Sequence, residues 1–153
     1  MSNKKEKLSQ GLKSTKDLKI IEWFNFGCFP GYWVFIQNFS HKEVMKHLKK
    51  QKAKGWIATL DDEKLFTGYP RAGRRDVKFE SDDKSKAYYF IIMPDGLNTK
   101  DSEDLIILAH ECVHICQFYL PDLMNRDEEN EAEAYLHTHL MRQVIEHLNT
   151  SPQ

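Results

Sequence analysis

The sequence predicts an α+β domain, a small mixed sheet with helices that ends in an antiparallel hairpin of two long helices. Three observations predict it. Short aromatic and β-branched runs punctuated by Gly and Pro recur up to Pro94, the spacing of strands and turns. From Ser102 onward the apolar period becomes helical. Pro121 then divides that helical region in two, so strands are followed by consecutive helices rather than alternating with them.

At 153 residues the chain has the size of one domain with a single sizeable core. A formal net charge of −1 excludes a global electrostatic pull toward nucleic acid or anionic lipid. Residues 1–16 differ from the rest: Lys4, Lys5, Lys7, Lys13 and Lys16 stand there with almost nothing apolar. This is expected to be a solvated, disordered arm, leaving 17–150 as the single domain. Nucleic-acid binding by that arm is a minor alternative.

Asp17 to Phe26 is the first apolar segment, a strand or a short helix. Gly27 to Gly31 holds Gly, Pro and Gly and predicts a turn. Tyr32 to Phe39 is aromatic and β-branched and predicts a strand. Ser40 and Glu43 have capping-box spacing, opening a helix with Val44, Met45 and Leu48 on one face that ends near Lys54-Gly55. Gly55 to Leu60 predicts another strand, and the stretch from there to Ser85 is polar and turn-rich. Within it Arg71, Arg74 and Arg75 form a basic loop patch, more simply solvated than phosphate-binding. Ala87 to Met93 is the clearest strand, a continuous apolar run closed by Pro94-Asp95-Gly96. Such a run predicts cover on both faces. Thr99 or Ser102 caps the next helix, which runs to Leu120 before Pro121. The last helix starts near Asn125, with Asp127, Glu128 and Glu129 at its positive end, and reaches about Leu148.

The basic start is followed by no apolar h-region, and no apolar run has transmembrane length. Cys28, Cys112 and Cys116 lack the spacing of a disulfide framework and are expected to be free thiols in a reducing compartment. A cytoplasmic protein without a membrane partner is the expectation, with oligomeric state left open.

Inside the helix before Pro121 stands His110-Glu111-Cys112-Val113-His114, an H-E-x-x-H pattern. Histidines one turn apart share a helix face, so both imidazoles can reach one metal ion. The glutamate beside the first histidine is placed to act as general base and then general acid on a water that Zn2+ activates. A plainer reading is a pair of helix-face histidines with no ligand. Catalytic zinc usually takes a third protein ligand. In a helical hairpin the level of His114 is met by Glu131. Glu128 shares that face, while Glu133 is about 200° round the helix from Glu131. The acidic cluster also reads as a cap for the helix dipole.

The metzincin continuation needs Gly and His where Gln117 and Leu120 stand. His110-Glu111-Cys112-Val113-His114 followed by Asn130-Glu131-Ala132-Glu133-Ala134-Tyr135-Leu136 instead resembles the gluzincin pattern. It is similar to small metallopeptidases of bacteriophage genomes and, more distantly, to ImmA/IrrE-type peptidases. The likeness covers about Leu105 to Leu140. It implies a zincin-like fold, zinc ligands His110, His114 and Glu131, and Glu111 as general base in peptide-bond hydrolysis. It also implies a protein or peptide substrate and, for a phage protein, the host cytoplasm.

Tyr135 stands where thermolysin-like gluzincins carry an acid that orients the first histidine, so its phenol is the candidate for that orienting hydrogen bond. His139 lies about 80° from Glu131 round the helix and is a candidate transition-state donor; a plain surface histidine is commoner. Arg126 and Tyr89 are further oxyanion candidates, and His137 points elsewhere. By the same resemblance, Tyr88 to Ile92 is the candidate strand for extended substrate, against the plainer reading of a central core strand. The alternative function is a catalytically silent zincin-fold module that binds or inhibits a partner.

Overall fold

Alternation along the strands sets the layers. The computed structural model describes residues 14–50, 63–77, 86–124 and 126–150. Ile20–Phe26 (β1), Phe29–Gln37 (β2), Arg71–Val77 (β3) and Lys86–Met93 (β4) form one sheet in the order β1-β2-β4-β3. The β2–β4 pair is parallel and the two outer pairs are antiparallel. Trp33, Phe35, Tyr89, Ile91 and Met93 face one side of this sheet, and Val34, Ile36, Phe90 and Ile92 face the other. Both central strands are therefore apolar on both faces, because both faces are covered.

His41–Lys50 (α1) and a short 3-10 turn at Glu63–Phe66 cover the second face through Val44, Leu65 and Phe66. Ser102–Tyr119 (α2) and Arg126–Thr150 (α3) cover the first. Leu108, Cys112, Ile115 and Tyr119 form the buried stripe of α2, and Leu136, Leu140, Val144 and Leu148 that of α3. The two helices pack antiparallel around the 3-10 turn Leu120–Asp122, with His137 level with Ala109. The α+β class and the C-terminal helical hairpin are thus as the sequence predicts.

Several boundaries differ. Thr15, inside the expected arm, is buried: its hydroxyl donates to the Leu97 carbonyl at 2.6 Å and accepts from the Thr99 N–H, while residues 1–13 lie outside the described residues. The buried Gln37 amide holds the same region, donating to the carbonyls of Thr15 and Leu18 and accepting from the Leu97 N–H. A polar group this deep is tolerable because each of its hydrogen-bonding atoms is matched. β2 begins at Phe29, so Pro30 and Gly31 belong to the strand and the turn shrinks to Gly27-Cys28. Ser40 caps α1, accepting from the Glu43 N–H at 3.2 Å while its hydroxyl donates to the Glu43 carboxylate. The cap of α2 is Asp101, which accepts from the Glu103 N–H, in place of Thr99 or Ser102.

The larger correction concerns Arg71, Arg74 and Arg75. They lie in β3, the antiparallel edge strand, and not in a loop. Arg74 is engaged by Asp76 at 2.9 Å and Asp122 at 3.2 Å, which leaves no phosphate-binding fork. Tyr88 to Ile92 is correspondingly central, flanked by β2 and β3, so it offers no free edge to a substrate. The strand expected at Gly55 to Leu60 and the end of the first helix near Lys54-Gly55 lie outside the described residues. No described helix is long and apolar enough to cross a membrane.

Candidate metal site on the HExxH helix

The H-E-x-x-H segment lies in the middle of α2, so its histidines are a full turn apart on a regular helix. The stripe that buries Leu108, Cys112 and Ile115 against the sheet leaves His110 exposed and His114 half-buried on the opposite side. Their rings converge. The Nε2 atoms stand 3.0 Å apart, with ring planes at 82°. Two nitrogen ligands of a tetrahedral zinc, each at about 2.05 Å, would lie about 3.3 Å apart. The pair thus fits two corners of a zinc site with a small opening of the rings.

Gln117 stands one turn beyond His114, with its Oε1 3.1 Å from His114 Nδ1. A carboxamide oxygen only accepts, so this contact suits the tautomer with the proton on Nδ1, the form whose Nε2 can ligate a metal. The position lies three residues past the motif, where only a comparison with metzincins draws attention to it. Sequence reasoning missed its role; the usable signal was a long amide at i+3 from a histidine on a helix face.

Glu111 faces the sheet edge and is only 7% exposed. Burial pushes its carboxyl up from the ordinary range, while the nearby His110 and His114 and the Ala72 N–H pull it down. The Ala72 bond ties the carboxylate to β3. A carboxyl held close to the histidine pair and partly desolvated has a raised proton affinity, the feature a general base needs.

Other expected participants are elsewhere. Glu131 is exposed on α3, and among the described residues no three His, Cys, Asp or Glu side chains come close enough to hold a metal. Tyr135 and His139 stack on each other, with ring centroids 6.2 Å apart, and Tyr135 meets Phe29 edge-on at 6.1 Å. His139 packs beneath Gly27, where an added Cβ would lie 3.2 Å from its Nε2. That flank of α3 faces the β1–β2 turn, and neither ring makes a hydrogen bond or ring contact to His110 or His114. The opposite flank faces α2. There His137 Nε2 donates to the Ala109 carbonyl at 3.1 Å, and the charge of Glu133 acts on Cys116. Tyr89 is committed to Asp122, donating at 2.7 Å. The side chains of Arg126, Glu128 and Glu129 lie outside the described residues.

No family model, curated protein or solved structure matches this chain.

Proposed function

We propose that the chain is a zinc-dependent peptide hydrolase, with His110, His114 and Glu131 as ligands and Glu111 as general base and acid. The convergence of the two Nε2 atoms beside a buried carboxyl carries this reading. Zinc held by these residues would supply Lewis acidity toward a scissile carbonyl and an attacking water. Glu111 takes the proton of the attacking water and delivers it to the leaving amine, a transfer favoured by its raised proton affinity. The Gln117 contact with His114 suits the metal-binding tautomer of that ligand. Among the described residues β3 is an edge strand, and it lies beside Glu111, so an extended peptide would add there rather than at β4.

Glu131 is the proposed third ligand from the sequence pattern alone, as the glutamate that follows H-E-x-x-H on the next helix; its side chain is exposed there. The three free cysteines accord with a reducing, cytoplasmic setting, the host cytoplasm for a phage protein. A second reading is favoured by the same exposed Glu131 and by the absence of a three-donor group among the described residues. It is a zincin-fold module that binds or inhibits a partner without catalysis.

Elemental analysis of the purified chain separates these readings when run beside His110→Ala, Glu131→Gln and Glu133→Gln. One equivalent of zinc in the wild type, lost in His110→Ala and Glu131→Gln, is the expected result. Zinc retained in Glu131→Gln but lost in Glu133→Gln moves the third ligand to the flank of α3 that faces α2. Glu111→Gln should keep the zinc and lose peptide hydrolysis by at least about 100-fold. A wild type that holds zinc yet cleaves nothing in a broad panel of folded and unfolded proteins supports the binding module.

A further inference from the structure

We infer that the small cleft on α3 beside the β1–β2 turn binds a phosphoryl group, with Arg142, His139 and Tyr135 as its donors. This does not rest on the zinc reading, because the flank of α3 that meets α2 is the opposite one.

The cleft, of about 220 Å³, is lined by Tyr135, Thr138, His139 and Arg142. These are positions i, i+3, i+4 and i+7 of one helix, so successive turns bring them to a common face. Each carries an N–H or O–H group, and among the described residues no carboxylate lines the cleft. Thr138 gives its hydroxyl proton to the Ala134 carbonyl at 2.9 Å and serves as wall. The other three are uncommitted. Neither the Arg142 guanidinium nor the Tyr135 hydroxyl has a hydrogen-bond or ion-pair partner among the described residues. His139 Nε2 is buried beneath Gly27, so Nδ1 is the ring nitrogen left to meet a ligand. Both rings are already held in place. They lie within 5° of parallel, Phe29 meets Tyr135 edge-on, and Gly27 closes over His139. Donors fixed in this way lose little freedom when a ligand arrives.

A cation with an imidazole and a phenol beside it, and no acid among them, selects an anion. The guanidinium fork by itself satisfies both oxygens of a carboxylate. Three separate donor groups instead match the three terminal oxygens of a phosphate monoester. Tyr135 is half-exposed, which leaves part of its ring for the organic portion of such an ester.

The test titrates the full chain with inorganic phosphate, phenyl phosphate and acetate at fixed ionic strength, following backbone amides by NMR. Phosphate shifts should centre on residues 134–142 and on the Gly27-Cys28 turn. Saturation should fall in the millimolar range, since a small anion on an open surface gains few contacts. Arg142→Ala should weaken phosphate by about 10-fold, the loss of a charge-assisted pair. Arg142→Lys should lose less, because it keeps the charge without the fork. Tyr135→Phe keeps the ring and removes one donor, a loss of about 3-fold. Arg142 and Tyr135 are exposed, so the thermal midpoint should stay at the wild-type value in all three variants. Phenyl phosphate binding more tightly than inorganic phosphate identifies an ester as the source; equal binding identifies the free ion. Acetate binding as well as phosphate overturns the phosphoryl assignment. No shift with either phosphate, shifts centred on the lysines of α1, or a titration that Arg142→Ala and Tyr135→Phe leave unchanged overturns the site.

Discussion

At the scale of single residues, α2 and α3 carry polar side chains with contrasting fates. Glu111 is buried but its carboxylate has the Ala72 N–H and two imidazoles to answer it. His139 has less: its Nε2 is buried and unpartnered among the described residues, pressed beneath Gly27. Gly27 has φ +69°, so both the backbone and the ring below it exclude a larger residue there. An unpaired buried nitrogen costs free energy that an apolar side chain would not. His139→Leu is therefore expected to leave stability unchanged or raise it by up to about 1 kcal/mol, measured by urea denaturation, and to leave zinc content unaltered. A stability loss above about 2 kcal/mol would show that the imidazole pairs with something, and loss of zinc would return it to the site. In sequence, His137 and His139 differ by two positions on one helix. Their opposite surroundings, the Ala109 carbonyl for one and the β1–β2 turn for the other, depend on which neighbour each flank meets.

Among the elements, β3 was the least legible. Its run Arg71-Ala72-Gly73-Arg74-Arg75-Asp76-Val77 is charged and contains a glycine, the composition of a loop. It forms a strand because it is an edge: one side pairs with β4 while its long side chains reach solvent and Asp122. Gly73 has a packing reason. A Cβ there would lie 2.3 Å from the Phe90 ring, which crosses beneath the strand and carries the Arg75 guanidinium at 5.5 Å from its centroid. Gly73→Ala should cost about 1–3 kcal/mol of stability through overpacking, readable as a lower thermal midpoint. A neutral outcome would mean the Phe90 ring moves aside freely. β3 also carries the Ala72 bond to Glu111, so the same substitution should reduce any hydrolysis more than zinc content.

Across the whole molecule, the helical hairpin and one sheet face share a single core. Leu140 is fully buried at its centre, and Leu140→Ala should cost about 2–5 kcal/mol in denaturant unfolding. Burial pushes the Cys116 thiol up to about 12, with the charge of Glu133 adding to it. The Tyr89 hydroxyl rises to about 12 by burial and its bond to Asp122. In the unfolded chain these groups ionise near about 8.5 and about 10. Between those values and about 12 the native state keeps protons that the unfolded state has lost, so stability falls as pH rises. The urea midpoint should hold up to pH about 8 and drop steadily toward pH 11. A flat profile would show that neither group is shielded.

The sequence by itself determined the α+β class, the doubly covered run Ala87 to Met93, the helix boundary at Pro121 and the H-E-x-x-H pair. Each is a local pattern: a period of hydrophobicity, a residue that breaks a helix, or a spacing of one turn. What depends on the neighbours of an element was decided only in three dimensions. This holds for β3 as the edge, for Thr15 inside the domain, and for Gln117 against His114. It holds most for the flanks of α3, where Glu131 is exposed and His137 meets α2. A helix fixes the angles between its own side chains, but the direction in which the whole set points is fixed by the surfaces packed against it.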